Sequence, residues 1–353
     1  MLQTAEYLLT ASLAFVVIAL VTNLVLFSAS RRAPRRHAVK QLATVGAPAA
    51  GASGDTVVGD GLPDDAIADE VTADLIADDV VAEGATSTTT ADLEADLLAM
   101  DDEVDTHAPT PSKPKEKAAP LNVGAFGTGF TIVAWVILTA YLGIRIALTG
   151  HGPFANQHEF AVSFVWGILA AYLVAYWRFK IRMISLVVLP VSACLLLYAI
   201  SLGSEVAPLV PALQNNLLLT LHVGFAVLSY GAACVSFGAA VLYLLYPHLH
   251  LKTSRDRLDE IGYKGAVVAF PLMTIMILLG SLWANTAWGS YWSWDPKETA
   301  ALVTWLLYLA FLHARVSRGW RGTKSAWLLV IGFAAVMFAY FGNMFFGGLH
   351  SYA

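Results

Sequence analysis

Trp283, Trp288, Trp292 and Trp294 place four of the chain's ten tryptophans within a dozen residues, in the stretch Trp283-Ala-Asn-Thr-Ala-Trp288-Gly-Ser-Tyr291-Trp292-Ser-Trp294-Asp295-Pro296-Lys297-Glu298-Thr299. Aromatic rings at a membrane surface are ordinary, because an amphipathic ring suits the headgroup layer, but one or two per helix end serve that purpose. Four in one connection predict a flat aromatic platform. Such a platform suits a large planar apolar ligand, since aromatic faces and edges provide area and stacking geometry without using hydrogen bonds. A porphyrin has that shape.

Three of the nine histidines carry further chemistry. His222 lies in the first two turns of an apolar stretch, in Leu221-His222-Val223-Gly224-Phe225, and His350 follows Gly347-Gly348. His313 lies 17 residues beyond Pro296, about 25 Å along a helix that rises about 1.5 Å per residue. An ionisable residue in or beside a membrane span is costly and marks a functional site by default. Neutral imidazole is a common axial ligand of haem iron, and two of them make the iron six-coordinate. Taken alone, each histidine reads better as a hydrogen-bonding partner of headgroups or backbone; beside the tryptophan cluster, His222 and His350 become a ligand pair. His151, His158, His248 and His250 fall in connections and read as solvated surface, and His37 and His107 belong to a polar linker.

Asp295-Pro296-Lys297-Glu298 is a helix start: a side-chain cap, a preset φ and a carboxylate that reaches back to the cap. A rigid start here would also decide where Trp292 and Trp294 point.

The elements that must position these groups are apolar helices. Hydrophobic residues make up 57% of the chain and charged residues 13%, with a mean hydropathy of +0.63, which places it outside the soluble average. Runs of about 20 apolar residues, enough to cross a bilayer core, fall near 6–28, 126–148, 160–177, 183–203, 217–246, 264–284, 298–317 and 325–346. The expected fold is an all-α polytopic membrane bundle of about eight transmembrane helices. Basic residues cluster at alternate ends of these runs: Arg31 to Arg36, Arg178 to Arg182, Lys252 to Lys264, and Arg315 to Lys324. The positive-inside rule makes those ends cytoplasmic and puts both termini and the tryptophan stretch outside. The first span has arginines after it and none before it, the reverse of a cleaved signal, so 1–28 reads as a retained anchor.

Residues 29–125 hold 18 of the 26 acidic residues and few large apolar ones, a composition that predicts a disordered cytoplasmic linker. Without it, 8 acidic residues stand against 13 basic ones, so the net charge of -5 describes the linker and implies no charged partner such as nucleic acid. Residues 126–353 then form a seven-helix domain with its tryptophan loop at 283–299. Cys194 and Cys234 are forty residues apart inside apolar runs and read as small buried hydrophobes; thiol redox chemistry would come from elsewhere.

The run Trp288-Gly-Ser-Tyr291-Trp292-Ser-Trp294-Asp295-Pro-Lys-Glu-Thr resembles the WWD signature of haem-handling proteins. With its flanking histidines and the ending Gly347-Gly348-Leu349-His350-Ser351-Tyr352, the stretch 120–353 resembles the CcsA (ResC) family of system II cytochrome c biogenesis. The resemblance implies that His222 and His350 ligate haem b at the outer face, that Trp288, Tyr291, Trp292, Trp294 and Asp295 form its pocket, and that His313 ligates haem inside the membrane. It also implies a plasma-membrane subunit of a holocytochrome c synthase, with a CcsB (ResB/Ccs1) membrane partner supplying a second ligand opposite His313. The apocytochrome c CxxCH segment, a thioredoxin-like thiol reductant and membrane lipid complete the expected partners. Alternatives are a system I type WWD protein, a membrane haem-b electron-transfer subunit, or a lipid or solute transporter; the last leaves the tryptophans and histidines without a task.

Overall fold

The computed structural model describes residues 2–32, 123–206, 209–214, 216–249, 251 and 253–351. Both ends of the expected linker, 29–32 and 123–125, are helical and belong to the flanking spans, while its remainder, with His37 and His107, and also His250 and Tyr352, lie outside the described residues. Among these residues there are eight α-helices and no strands: α1 Leu2–Arg32, α2 Val123–Thr149, α3 Gln157–Phe179, α4 Ser185–Ser201, α5 Asn216–Leu244, α6 Arg255–Trp288, α7 Pro296–Ser317 and α8 Thr323–Phe341. They belong to one compact unit spanning 1–34 and 120–353.

Seven helices are long and apolar enough to cross a membrane, whereas α4 has only 17 residues. Hydrogen-bonded turns at Met183, Ile184 and Leu202 lengthen α4 at both ends, bringing it to about 30 Å at about 1.5 Å per residue. The helix α6 runs well past that thickness. Its 34 residues span about 51 Å, so it carries side chains beyond the apolar layer.

The helix α5 is the most enclosed of the spans, and its sequence explains why. Gly231-Ala-Ala-Cys-Val-Ser-Phe-Gly-Ala-Ala is almost all small residues, which allow close backbone approach in a membrane where helix–helix contact gains little from hydrophobicity. A side chain at Gly231 would collide with the Gly167 carbonyl of α3. On the opposite face, Ser236 Oγ donates to the Gly262 carbonyl of α6 at 2.6 Å. Cys234 is buried in this seam, but Cys194 is exposed on the surface of α4. The expectation of two buried thiols holds for one only, because Cys194 falls on a helix face that no neighbour among the described residues covers.

Helix ends meet in two groups. Glu6, Arg145, Gln157, Ser204, Asp295, Tyr340 and Leu349 are joined by hydrogen bonds at one end of the bundle. At the other, Arg257 donates to the Phe179 carbonyl and Asp259 pairs with Arg315 at 2.6 Å and accepts from the Gly322 N–H. The basic residues near Arg178, Arg257 and Arg315 gather at this second end.

The first end is locked by a polar network that sequence reading missed. Arg145 Nε and Glu159 Oε1 pair at 2.9 Å with exposures of 0% and 1%. The remaining guanidinium nitrogens donate to the Ser204 and Glu205 carbonyls, and Glu159 Oε2 accepts from the Ala155 N–H. Beside them Tyr141 donates to His158 Nε2 at 2.6 Å and His158 Nδ1 donates to the Ala199 carbonyl at 2.8 Å. His158 is 3% exposed and His151, whose Nδ1 donates to the Gly152 carbonyl, is buried as well. The solvated reading fails for both, because rings already bonded by α2, α4 and the α2–α3 connection lose little when water leaves.

Removing one partner of a buried pair strands the other charge, so Glu159→Ala should cost about 3–5 kcal/mol. It is expected to lower the thermal unfolding midpoint of the detergent-purified protein steeply. Glu260→Ala, which removes the exposed Glu260–Lys264 pair of α6, should leave that midpoint unchanged.

Candidate functional site

Local sequence places the site at the junction of α6 and α7. The helix α6 continues through Trp283 to Trp288 and stops at Gly289, whose φ of +73° closes it with an N–H bond to the Asn285 carbonyl at 2.9 Å. Pro296 opens α7, capped by Asp295, with Glu298 completing the reciprocal box. Trp283 and Trp288 are therefore helical, and the true connection is the short segment from Ser290 to Asp295.

The indoles do not form the flat platform expected of them. Trp283 and Trp288 meet edge to face at 4.7 Å and 71°, and Trp292 and Trp294 at 5.8 Å and 88°. Edge-to-face contact matches the positive rim of one ring to the negative face of the next, so packed indoles turn out of a common plane. Trp294 is 69% exposed and holds a left-handed φ of 60°, an unusual conformation for a bulky residue. Glu298 stabilises that turn by accepting from the N–H groups of both Ser293 and Asp295.

Both candidate histidines rest on one residue, Trp283. The His222 ring lies nearly parallel to the Trp283 indole at 6.3 Å and 7°, and the His350 ring stands 5.9 Å away on it. Trp288 presses edge-on against His350 at 4.8 Å. Trp283 is 1% exposed, the largest fully buried side chain described.

Each imidazole has its tautomer set by an acceptor. His222 Nδ1 is 2.8 Å from the Met276 carbonyl and His350 Nδ1 is 2.8 Å from Asp295 Oδ1. A carbonyl and a carboxylate only accept, so Nδ1 carries the proton in both rings and the ring lone pair lies on Nε2. Metal-ligating histidines show this arrangement almost always. It is the observation by which these residues fit haem iron.

Close backbone approach makes both contacts. A side chain at Gly280 would sit 2.6 Å from the His222 ring, and one at Gly348 would collide with the Asp295 carboxylate. Asp295 accepts from the Lys297 N–H at 2.9 Å, the Leu349 N–H at 2.6 Å and His350. Burial alone would raise its carboxyl, but the His350 bond and charge and these two N–H groups hold it at about 2. Burial lowers the His350 imidazole below its ordinary 6.5, against the pull of Asp295. His350 is therefore neutral at neutral pH, the form that can ligate.

His222, His350, Trp283, Tyr291, Trp292 and Lys297 line a single cavity of about 120 Å³ between α5, α6, α7 and the segment after α8. Trp288 and Asp295 support His350 from behind, and Trp294 stands outside the lining. His313 is not brought to this site: it is exposed near the far end of α7, with Nδ1 3.4 Å from Ser317 Oγ. Sequence reasoning overlooked Gly280 and Lys297 as site residues and took Trp283 only as one ring of the platform. Trp283 was visible as the first tryptophan of the cluster, but Gly280 carries no signal until His222 is seen against it.

The cytochrome C assembly protein family model matches residues 154–350. Relatives called cytochrome c biogenesis protein CcsA include one from Guillardia theta, 36% identical over 261 residues, covering 65% of this chain and 86% of the relative. One from Microcystis aeruginosa is 36% identical over 292 residues, 66% and 88% of the two chains. One from Trieres chinensis is 34% identical over 273 residues, 65% and 87%.

Folding favours ionised Asp295 and neutral His350, so acid opposes the docked segment twice, by neutralising the carboxylate and by charging a buried ring. The His350 contribution weakens as pH falls below the imidazole's ordinary 6.5, and that of Asp295 is complete above its ordinary 3.8 and fades toward about 2. Exchange of the Leu349 amide should accelerate as pH is lowered through this range, after correction for intrinsic rates. In Asp295→Ala it should be fast throughout and lose that dependence.

Proposed function

Because this chain belongs to the cytochrome C assembly protein family, we propose that it binds haem b between His222 and His350 and presents it for covalent attachment to apocytochrome c. The observation that carries this reading is the shared seat of two Nδ1-bonded imidazoles on Trp283, lining one cavity. In this reading the site end of the bundle is extracytoplasmic, and the basic end, with Arg178, Arg257 and Arg315, is cytoplasmic. Both termini then lie outside the plasma membrane.

Haem is the cargo here. At roughly 300–1,000 Å³, sites for small organic ligands are larger than this cavity, so its walls must part to admit a porphyrin. The segment after α8 is the element best placed to move, since Phe345, Phe346 and Leu349 are exposed and Asp295 is its main polar tether. His222 and His350 then supply the two axial nitrogens, and their neutral, oriented rings in a partly dry pocket tune the haem potential. Each apocytochrome thiol adds across one vinyl group, sulfur to one carbon and hydrogen to the other, with no net oxidation. Reduced thiols are needed, for which a thioredoxin-like protein is the expected source. Positioning carries much of the rate, and no side chain of this chain is required as acid or base. The histidine of the CxxCH segment displaces one of the two ligands as the product forms.

His313, exposed on the far half of α7, takes the part of a membrane-haem ligand whose opposite partner comes from a CcsB-type subunit. Haem would enter at that end and pass outward, which makes the chain one subunit of a holocytochrome c synthase.

His222→Ala and His350→Ala should each abolish holocytochrome c in cells and reduce copurified haem, with partial rescue by added imidazole. Normal holocytochrome in both variants would overturn the site. Deleting 45–110 should leave haem attachment largely intact, read as holocytochrome level with the inserted protein quantified alongside.

A further inference from the structure

We propose that Lys297 forms an ion pair with a carboxylate side chain of the bound porphyrin and so fixes the macrocycle's rotation in its own plane. The proposal rests on the haem reading above. Lys297 is the cationic residue of the cavity lining, which it shares with His222, His350 and Trp292. Its ammonium lies over the Phe160 ring at 5.5 Å, and among the described residues it has no hydrogen bond or ion pair. Elsewhere in this molecule the two guanidinium groups of Arg145 and Arg315, both little exposed, are paired with Glu159 and Asp259, as charges withdrawn from water usually are.

The neighbouring carboxylates are already engaged. Glu298 accepts from Ser293 N–H, Ser293 Oγ and Asp295 N–H, and Asp295 from Lys297 N–H, Leu349 N–H and His350. Lys297 also occupies the first turn of α7, where the helix dipole disfavours a cation. Among the described residues the fold meets this ammonium only with the face of Phe160 and the through-space charge of Asp295, whose oxygens are already engaged, so a ligand that brings a carboxylate of its own is the natural counterpart. Haem carries two carboxylates, while its iron would be met here only by neutral imidazoles. Two axial ligands define a line and leave the porphyrin free to turn about it; an ion pair at the rim removes that freedom. Joining each cysteine to its own vinyl group requires a defined rotation.

The test uses the full chain purified with its partner subunit, titrated with haemin and with haemin dimethyl ester, whose carboxylates are masked, and followed by absorption. Wild type should bind haemin about tenfold more tightly than the ester, the scale of one charge-assisted hydrogen bond. Lys297→Met should lose that preference, and Lys297→Arg should keep most of it. A Lys297→Met protein that retains the preference, or that loses affinity for both porphyrins equally, would overturn the proposal. Absence of a low-spin spectrum with either porphyrin in wild type would instead overturn the haem site and Lys297 with it.

Discussion

The Asp295 carboxylate is the contact on which the rest of the site depends. One buried group caps α7, holds the backbone after α8 through Leu349, and orients His350. A carboxylate with so little water around it must be met by several donors, and two of these, Leu349 and His350, lie 54 and 55 residues from it in the chain. The requirement that Gly348 have no side chain follows directly, because the chain must pass against Asp295 for Leu349 and His350 to reach it. A cap that looks purely local in the sequence thereby becomes the joint that brings a distant imidazole to Trp283.

His222 reaches the same tryptophan by a different route, through helix packing. The small residues of α5 let α6 come close, and Gly280 leaves the room that the imidazole fills. The carbonyl of Met276, one turn earlier in α6, then sets the proton on Nδ1. In a bilayer, where apolar surface alone does little to hold helices together, such specific contacts set the register of α5 against α6. Polar locks serve the same purpose elsewhere, as with Arg145 and Glu159 between α2 and α3, and Trp305 and Thr274 between α7 and α6. The first sits where helix ends converge and also satisfies orphan carbonyls there, whereas the second ties two helices near their middles.

Helical spans were legible because a bilayer imposes length and apolarity on each one separately, and the Asp295 start of α7 because capping is a matter of three or four consecutive residues. Reading failed where partners came from different helices. His158 looked like a surface residue because Tyr141 and Ala199 lie 17 and 41 residues away, and Cys194 looked buried because an apolar run does not reveal which face meets lipid. The tryptophan cluster was found but its shape was misjudged: composition signals aromatic area, while quadrupole packing decides the angles between rings.

By itself the sequence determined the helices, their alternating direction, the capped start of α7 and the candidate histidines and tryptophans. Each is a property of a short window, or of one segment against a uniform lipid slab. Only the tertiary structure decided that His222 and His350 share Trp283, that Trp294 stands outside the cavity while Lys297 lines it, and that His313 belongs to another place. Those facts depend on which faces of non-adjacent helices touch, and the forces that choose them, steric fit at glycines and hydrogen bonds between distant residues, act only once the bundle has closed.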